Sequence, residues 1–425
     1  MLNAKTAAAV LWCCVAVAVP AVAATPIPAP DLRQAFELTL ERHPDLRRLP
    51  LQHAMLVAEA DLAAQNPAWV AGVSLENALG SGDYRGVDEA ELSLSLGSVL
   101  EPTSRRDARV GVARSRLAGL DVAAEARRLD LLAEVARRYL DVLALQEEAV
   151  VLEATILQRR SAASAARRRV IAGASPASVQ LGAEAALARS ELELARAKAG
   201  AAAAGHRLAL MWGGSSLQQV SGDLLALPET PAFTQLAALL EQAPELRRFA
   251  GEARLREARL QLAQSQIRPG LEWQVGLRRL QGSDDFALTG GVSVPFGSRR
   301  RAEPGIRAAR AELDQLALER EAGALDLLAT LAEAHGRLEV EALTVRQTTN
   351  AVLPALERAE RAAGHAYRQG ALSYLEWAQL QNDLLSTRRE RIWAAREFNR
   401  ALIEIQRLTA EPFVLADRAP SEATP

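Results

Sequence analysis

Apolar and polar residues alternate one for one in four short stretches of the chain. From Trp69 to Glu76 the odd positions are apolar and the even ones mostly small or polar, and Leu92, Leu94 and Leu96 alternate cleanly with Glu91, Ser93 and Ser95. About two hundred positions on, Leu271, Trp273, Val275 and Leu277 oppose Glu272, Gln274, Gly276 and Arg278. Phe286, Leu288, Val292 and Val294 likewise oppose Ala287, Thr289, Gly291 and Ser293. A period of two predicts strands with one apolar and one polar face, and the polar runs Gly80 to Gly86 and Gln281 to Asp285 predict hairpin loops. A strand of about 10 residues with unlike faces suits a tilted crossing of an outer membrane, or a half-buried sheet in a soluble domain. On the first reading Leu92, Leu94, Leu96, Leu271, Trp273, Val275, Val292 and Val294 face lipid, while Ser93, Ser95, Gln274, Thr289 and Ser293 face a pore.

Helical periodicity fills most of the rest. Two runs rich in Ala, Leu, Glu and Arg, about Thr103 to Ala172 and Arg300 to Gln369, predict helices of roughly 100 Å, longer than a compact domain needs. Leu132, Val135, Tyr139, Val142, Ala149, Leu152 and Ile156 mark a coiled-coil seam, with charge expected on the remaining faces. Each run ends in a reversal. Gly173 suits a left-handed cap, Ser175 an N-cap and Pro176 a first helical position; Gly370 and Ser373 repeat the arrangement. Returning helices are expected at about Pro176 to Met211 and Tyr374 to Thr409, with shorter helices at Leu32 to Gln65 and Thr234 to Ile267. Pro354 predicts a kink in the second long helix.

The chain is internally repeated. The segment Leu40 to Arg48 returns as Leu240 to Arg248, carrying Pro44 to Pro244, and the Gly173 reversal returns at Gly370. Four parts follow: a signal peptide over 1–23, a first repeat over 24–226, a second over 227–412, and a disordered tail over 413–425. The start has Lys5 as its only charge, an apolar run from Ala7 to Val19 and a small-residue cleavage motif at Ala21 and Ala23. Cys13 and Cys14 leave with that signal, and Trp12 ahead of Cys13 is too large for a lipoprotein site. Beyond it, no window of about 18 residues lacks charge, so no transmembrane helix is expected.

Composition narrows function by exclusion. A net charge of -2 gives no basic field for a nucleic-acid backbone. His43, His53, His206, His335 and His365 show no ligand spacing, so neither a metal site nor a cofactor is expected. Glu89 and Glu91 read as a barrel face or rim rather than paired catalytic acids, and Glu147-Glu148 and Arg167-Arg168-Arg169 as solvated helix faces. An enzyme would need a constellation that these residues do not form.

Two repeats of helix, strand pair, long helix, tip and returning helix resemble the TolC family of outer-membrane efflux channels. The most specific piece is Ala366-Tyr367-Arg368-Gln369-Gly370-Ala371-Leu372-Ser373-Tyr374-Leu375-Glu376, similar to the family's Y-x-x-G-x-x-S-x-L-[ED] tip. Glu76-Asn77 with Gly80 to Gly86 and Ala90 to Leu96 resembles the branch associated with cobalt-zinc-cadmium efflux, although Glu101-Pro102-Thr103-Ser104-Arg105-Arg106 stands where that branch carries E-L-G-G-K-R. The resemblance implies a mainly α fold with a small β part. It also implies a homotrimer whose twelve strands close an outer-membrane barrel continued by a periplasmic helical tube. Its partners would be outer-membrane lipid, a periplasmic adaptor and a resistance-nodulation-division pump, with heavy-metal cations as cargo. Glu376 and Gln379 match the family's pore-constriction positions, though Ser373-x-x-Glu376 is also a capping box. An adaptor, the competing class, usually carries one helical hairpin between β-rich halves.

Overall fold

The computed structural model describes residues 30–217 and 219–413; the signal-peptide segment with Cys13 and Cys14, and the tail beyond Phe413, lie outside them. The chain opens with α1 (Leu32–Arg42), capped by Asp31, whose carboxylate accepts from the Gln34 N–H at 2.7 Å. The single helix expected from Leu32 to Gln65 is instead three pieces, continuing as α2 (Pro44–Arg47) and α3 (Leu49–Ala64). Pro44 causes the first break: it has no N–H to donate, and the extended His43 before it turns its ring to accept from the Asp45 N–H. The break recurs in the second repeat, where α6 (Phe233–Leu239) and α7 (Pro244–Ser265) flank a tight turn at Leu240–Gln242.

Strands β1 (Val70–Glu76) and β2 (Glu91–Leu100) lead into α4 (Thr103–Ile171), 69 residues and therefore about 100 Å long. Helix α5 (Ala177–Ala209) returns beside it. The second repeat supplies β3 (Leu271–Leu280), β4 (Asp285–Ser293), α8 (Ser298–Gln347), α9 (Leu353–Gln369) and α10 (Tyr374–Thr409). Between α8 and α9, Thr348–Val352 form one π-helical turn directly before Pro354. A proline needs its partner carbonyl four residues back released, and the wider turn does this without breaking the rod. Pro304, near the start of α8, sits inside the helix as well.

The core lies where both repeats overlap, around α4, the end of α5 and α10. Val135, Tyr139, Val142 and Leu152 of α4 are fully buried, and the Tyr139 hydroxyl donates to the Pro30 carbonyl at 3.1 Å and also to that of Ser221. Two seam positions differ from expectation: Leu132 and Ala149 are half-buried, and Leu131 enters the core instead. A second cluster joins α6, α8 and α10 through Leu236, Leu331, Leu338, Phe398 and Ile405. Ion pairs pin the helices across the repeats. Arg396 of α10 grips Asp141 of α4 with two nitrogens at 2.9 and 2.6 Å. Glu148, expected on a solvated face, is buried and meets Arg389 at 2.5 Å, because α10 lies against that face of α4. Phe413, expected to open a disordered tail, packs on Phe36 with ring centroids 5.9 Å apart.

Candidate functional site

The four strands form one antiparallel meander in the order β1-β2-β3-β4, leaving β1 and β4 as open edges. Register decides which side chains share a face. Val73, Leu94, Leu277 and Leu288 lie directly across from one another, and so do Ala71, Leu96, Val275 and Gly290. Since neighbours two apart share a face, Leu92, Leu94, Leu96, Leu271, Trp273, Val275 and Val292 all fall on one side. Val294 lies just past the end of β4. Ser93, Ser95, Gln274, Thr289 and Ser293 fall on the other side.

The division is steep but not absolute. Ser98 and Arg279 interrupt the apolar face, and Val70, Val99 and Leu280 the polar one. Among the described residues nothing covers the apolar side: Val73 is 72%, Leu288 86% and Val292 69% exposed. At its helix-proximal end Trp69 and Trp273 meet edge to face, 5.5 Å apart, and at the hairpin end Arg279 lies over Phe286. Aromatic residues at both rims of an apolar band are what a bilayer-crossing sheet places at its two interfaces. Among the described residues, no helix is long and apolar enough to cross a membrane.

Where strands join helices, Glu101 is nearly buried and paired with Arg109, which also donates to the carbonyls of Ala63 and Gln65 at the end of α3. Arg105, within the segment that stands where that branch carries E-L-G-G-K-R, also lies 3.6 Å from Glu101.

At the opposite end of the rods the two tips share one geometry. Gly173 and Gly370 hold φ of +69° and +85°, the left-handed conformation that closes a helix. The residue after each glycine donates five positions back, Ala174 to Arg169 at 2.8 Å and Ala371 to Ala366 at 2.9 Å. The returns differ. Ser373 caps α10 by accepting from the Glu376 N–H at 3.3 Å, and its own N–H and hydroxyl donate to the Glu376 carboxylate at 3.1 and 2.6 Å. These bonds, the hydroxyl first, hold the Glu376 carboxyl below its ordinary pKa. In the first repeat Pro176, not Ser175, occupies the cap position, and α5 begins without a side-chain cap. The proline has moved one place outward from the first helical position expected of it.

Glu376 and Gln379 are both exposed on one face of α10, and Gln379 donates to Asp383 at 2.8 Å. Asp383, seven residues beyond Glu376, extends the same row. Its spacing would have revealed it.

Inside the tip, Tyr367 stacks on Trp377 at 5.2 Å and Trp377 donates to Glu360 at 3.0 Å. Arg169, expected among solvated arginines, donates to the Tyr367 carbonyl at 2.6 Å and lies 5.0 Å over its ring. Burial raises the Tyr367 hydroxyl above its ordinary pKa against the opposing pull of Arg169. Among the described residues no three His, Cys, Asp or Glu side chains gather as metal ligands would.

The described chain is thus a four-stranded sheet with an uncovered apolar face, carried on long helical rods that reverse at the Gly173 and Gly370 tips. Residues 35–214 match the family described as Outer membrane efflux protein. That match lies almost wholly within the first half of the chain. It is 28% identical over 291 residues to the cobalt-zinc-cadmium resistance protein CzcC of Cupriavidus metallidurans, covering 68% of this chain and 70% of that protein. Among solved structures it resembles CusC, studied for transmembrane channel formation, with a TM-score of 0.74 at 17% identity over 91% of this chain and 93% of that one. It also resembles the open state of the MtrE outer membrane channel of Neisseria gonorrhoeae, with a TM-score of 0.72 at 16% identity over 92% and 91%. The efflux-protein family thus covers the first repeat by sequence, and the fold likeness extends through the second.

Proposed function

We propose that this protein is the outer-membrane channel subunit of a tripartite efflux system, a passive conduit rather than an enzyme. The observation that carries this reading is the four-stranded sheet, apolar and uncovered on one side, polar on the other, with both edges open. Unpaired edges in lipid leave backbone groups without partners, which closure removes. Three copies of the four strands close a twelve-stranded barrel in which β4 of one copy pairs with β1 of the next. Lipid then covers the leucines, water fills the inside, and the rods of about 100 Å continue the conduit into the periplasm. A periplasmic adaptor meets the Gly173 and Gly370 tips, and a resistance-nodulation-division pump supplies energy and substrate.

The cargo is heavy-metal cations. The 28% identity to CzcC, a cobalt-zinc-cadmium resistance protein, supports this choice over organic compounds. Two experiments test the proposal. The protein should fractionate with outer membrane and run as a trimer in SDS without heating; a monomer in the soluble periplasmic fraction would refute the channel. Deleting its gene should sensitise cells to cobalt, zinc or cadmium and not to dyes or detergents; the reverse pattern would refute the cargo.

A further inference from the structure

The polar face of the sheet changes character along its length. In its middle layer Gly72, Ser95, Gly276 and Thr289 stand across from one another, so no side chain there is larger than threonine. Gly276 cannot be replaced: a Cβ on it would lie 2.6 Å from the Leu94 carbonyl oxygen and 2.8 Å from the Thr289 hydroxyl. Two layers nearer the hairpins the same face carries Glu76, Glu91 and Asp285 in register, and one layer nearer it carries Arg278.

Arg278 does not reach straight out from the sheet. Its guanidinium runs along the wall towards the hairpins, with Nη1 2.7 Å from Glu91, Nη2 3.7 Å from Glu76 and Nε donating to the Ser93 hydroxyl at 3.0 Å. Asn77 donates to the other Glu91 oxygen at 2.9 Å, so that carboxylate is held from two sides. Arg278 and Glu91 are thus held in place by bonds to the wall, while the Glu76 side chain is 52% exposed. Each copy thus places three carboxylates and one guanidinium at this level, a net of two negative charges.

We propose that Glu76, Glu91 and Arg278 form a charge collar at the outer mouth of the barrel, which favours passing cations over anions, with Arg278 setting the strength of the preference. The proposal rests on the reading of the polar face as a water-filled lumen. Fixed charges of one net sign around a narrow aqueous path raise the local concentration of counter-ions, and three copies around one axis add their fields. Arg278 neutralises part of that field. Its removal strengthens the preference, and removal of a glutamate weakens it.

No cysteine follows Cys14, so one thiol placed deeper in the lumen reports passage through the collar. Gln274 lies on the same face, four residues along β3 from Arg278 and inward of the glycine layer. The full chain with Gln274→Cys, in porin-deficient cells, is exposed from outside to small cationic and anionic methanethiosulfonates, and labelling rates are read by mass spectrometry. The cation-to-anion rate ratio should exceed one. It should rise about threefold or more with Arg278→Gln and fall by a similar factor with Glu91→Gln or Glu76→Gln. Each variant is first confirmed as an SDS-resistant trimer, and Glu76, the more exposed acid, stands in if Glu91→Gln does not assemble. A reactive thiol whose ratio is unmoved by Arg278→Gln and by the assembled glutamate variant overturns the collar and leaves the lumen standing. A thiol inert to both reagents in an assembled trimer overturns the lumen reading itself.

Discussion

Arg169 and Tyr367 join the two helical hairpins at their tips: the guanidinium donates to the tyrosine carbonyl at 2.6 Å and lies over its ring at 5.0 Å. The same carbonyl accepts from the Gly370 N–H at 3.1 Å, so one atom closes α9 and ties it to α4. Replacing Arg169 with Ala should loosen the tips relative to one another without unfolding the rods. The loss should be about 1 kcal/mol, since the pair is partly exposed to water. Faster hydrogen exchange confined to residues flanking Gly173 and Gly370 would report it; unchanged exchange there would show that the contact holds nothing.

The apolar face can be tested one strand residue at a time. Leu94→Arg places a cation opposite Val73 and Leu277, and should cost about 2 to 4 kcal/mol if those residues face the bilayer midplane. Thr289→Arg, on the other face, should assemble. Ser93 is a poorer comparison than its polarity suggests, because its hydroxyl already accepts from Arg278 and an arginine there would meet a like charge. Equal loss of membrane trimer from Leu94→Arg and Thr289→Arg would refute the assignment of faces.

Gly370→Val forces a β-branched residue into φ of +85°, a strain of about 1 to 2 kcal/mol. Membrane insertion and trimer formation should survive, since the sheet is far from this turn, while metal efflux falls. Loss of the trimer with no separate loss of efflux would remove the tip from the docking surface.

Glu376 gives the tip a pH dependence in the acid range. Its carboxyl is held below the ordinary 4.5 by the Ser373 bonds, so it favours the folded turn when ionised. That contribution is complete above about pH 4.5, and is lost as pH falls through the lower folded value. Wild-type tips should therefore become more susceptible to an acid-active protease only below that range, whereas Glu376→Gln should show no such step. In planar bilayers the same variant keeps the cap and removes the charge. Reduced cation preference or weaker divalent block would show an acidic ring at the periplasmic mouth; unchanged values would leave Glu376 as a cap alone.

The sequence disclosed features whose causes are local. Alternation fixed the faces of β2 and β3 because side-chain direction in a strand depends only on parity, and Gly173 and Gly370 announced their turns because few other residues accept that backbone. Features made by distant partners stayed hidden. Glu148 reads as a surface acid until α10 brings Arg389 against it, and Arg169 reads as one of three solvated arginines until a residue 198 positions away supplies a carbonyl. Leu132 stood in for Leu131 because the two lie three and four residues before Val135, and spacing alone does not choose between those positions. At the cap of α5, Pro176 displaced the serine expected to fill it, since neighbouring positions compete for one role.

The π-helical turn at Thr348–Val352 changes the phase of a rod that otherwise looks continuous. One residue more per turn rotates everything beyond it by about 100° relative to an uninterrupted α-helix. Upstream, Leu331, Leu338 and Ala342 point into the cluster shared with α6 and α10; downstream, Ala363 and Tyr367 point at the tip aromatics. The rod therefore behaves as two keyed shafts coupled at a fixed offset: straightening the turn into α-helix with all its residues kept would turn Tyr367 away from Arg169, whereas removing one residue from it would leave both shafts in phase.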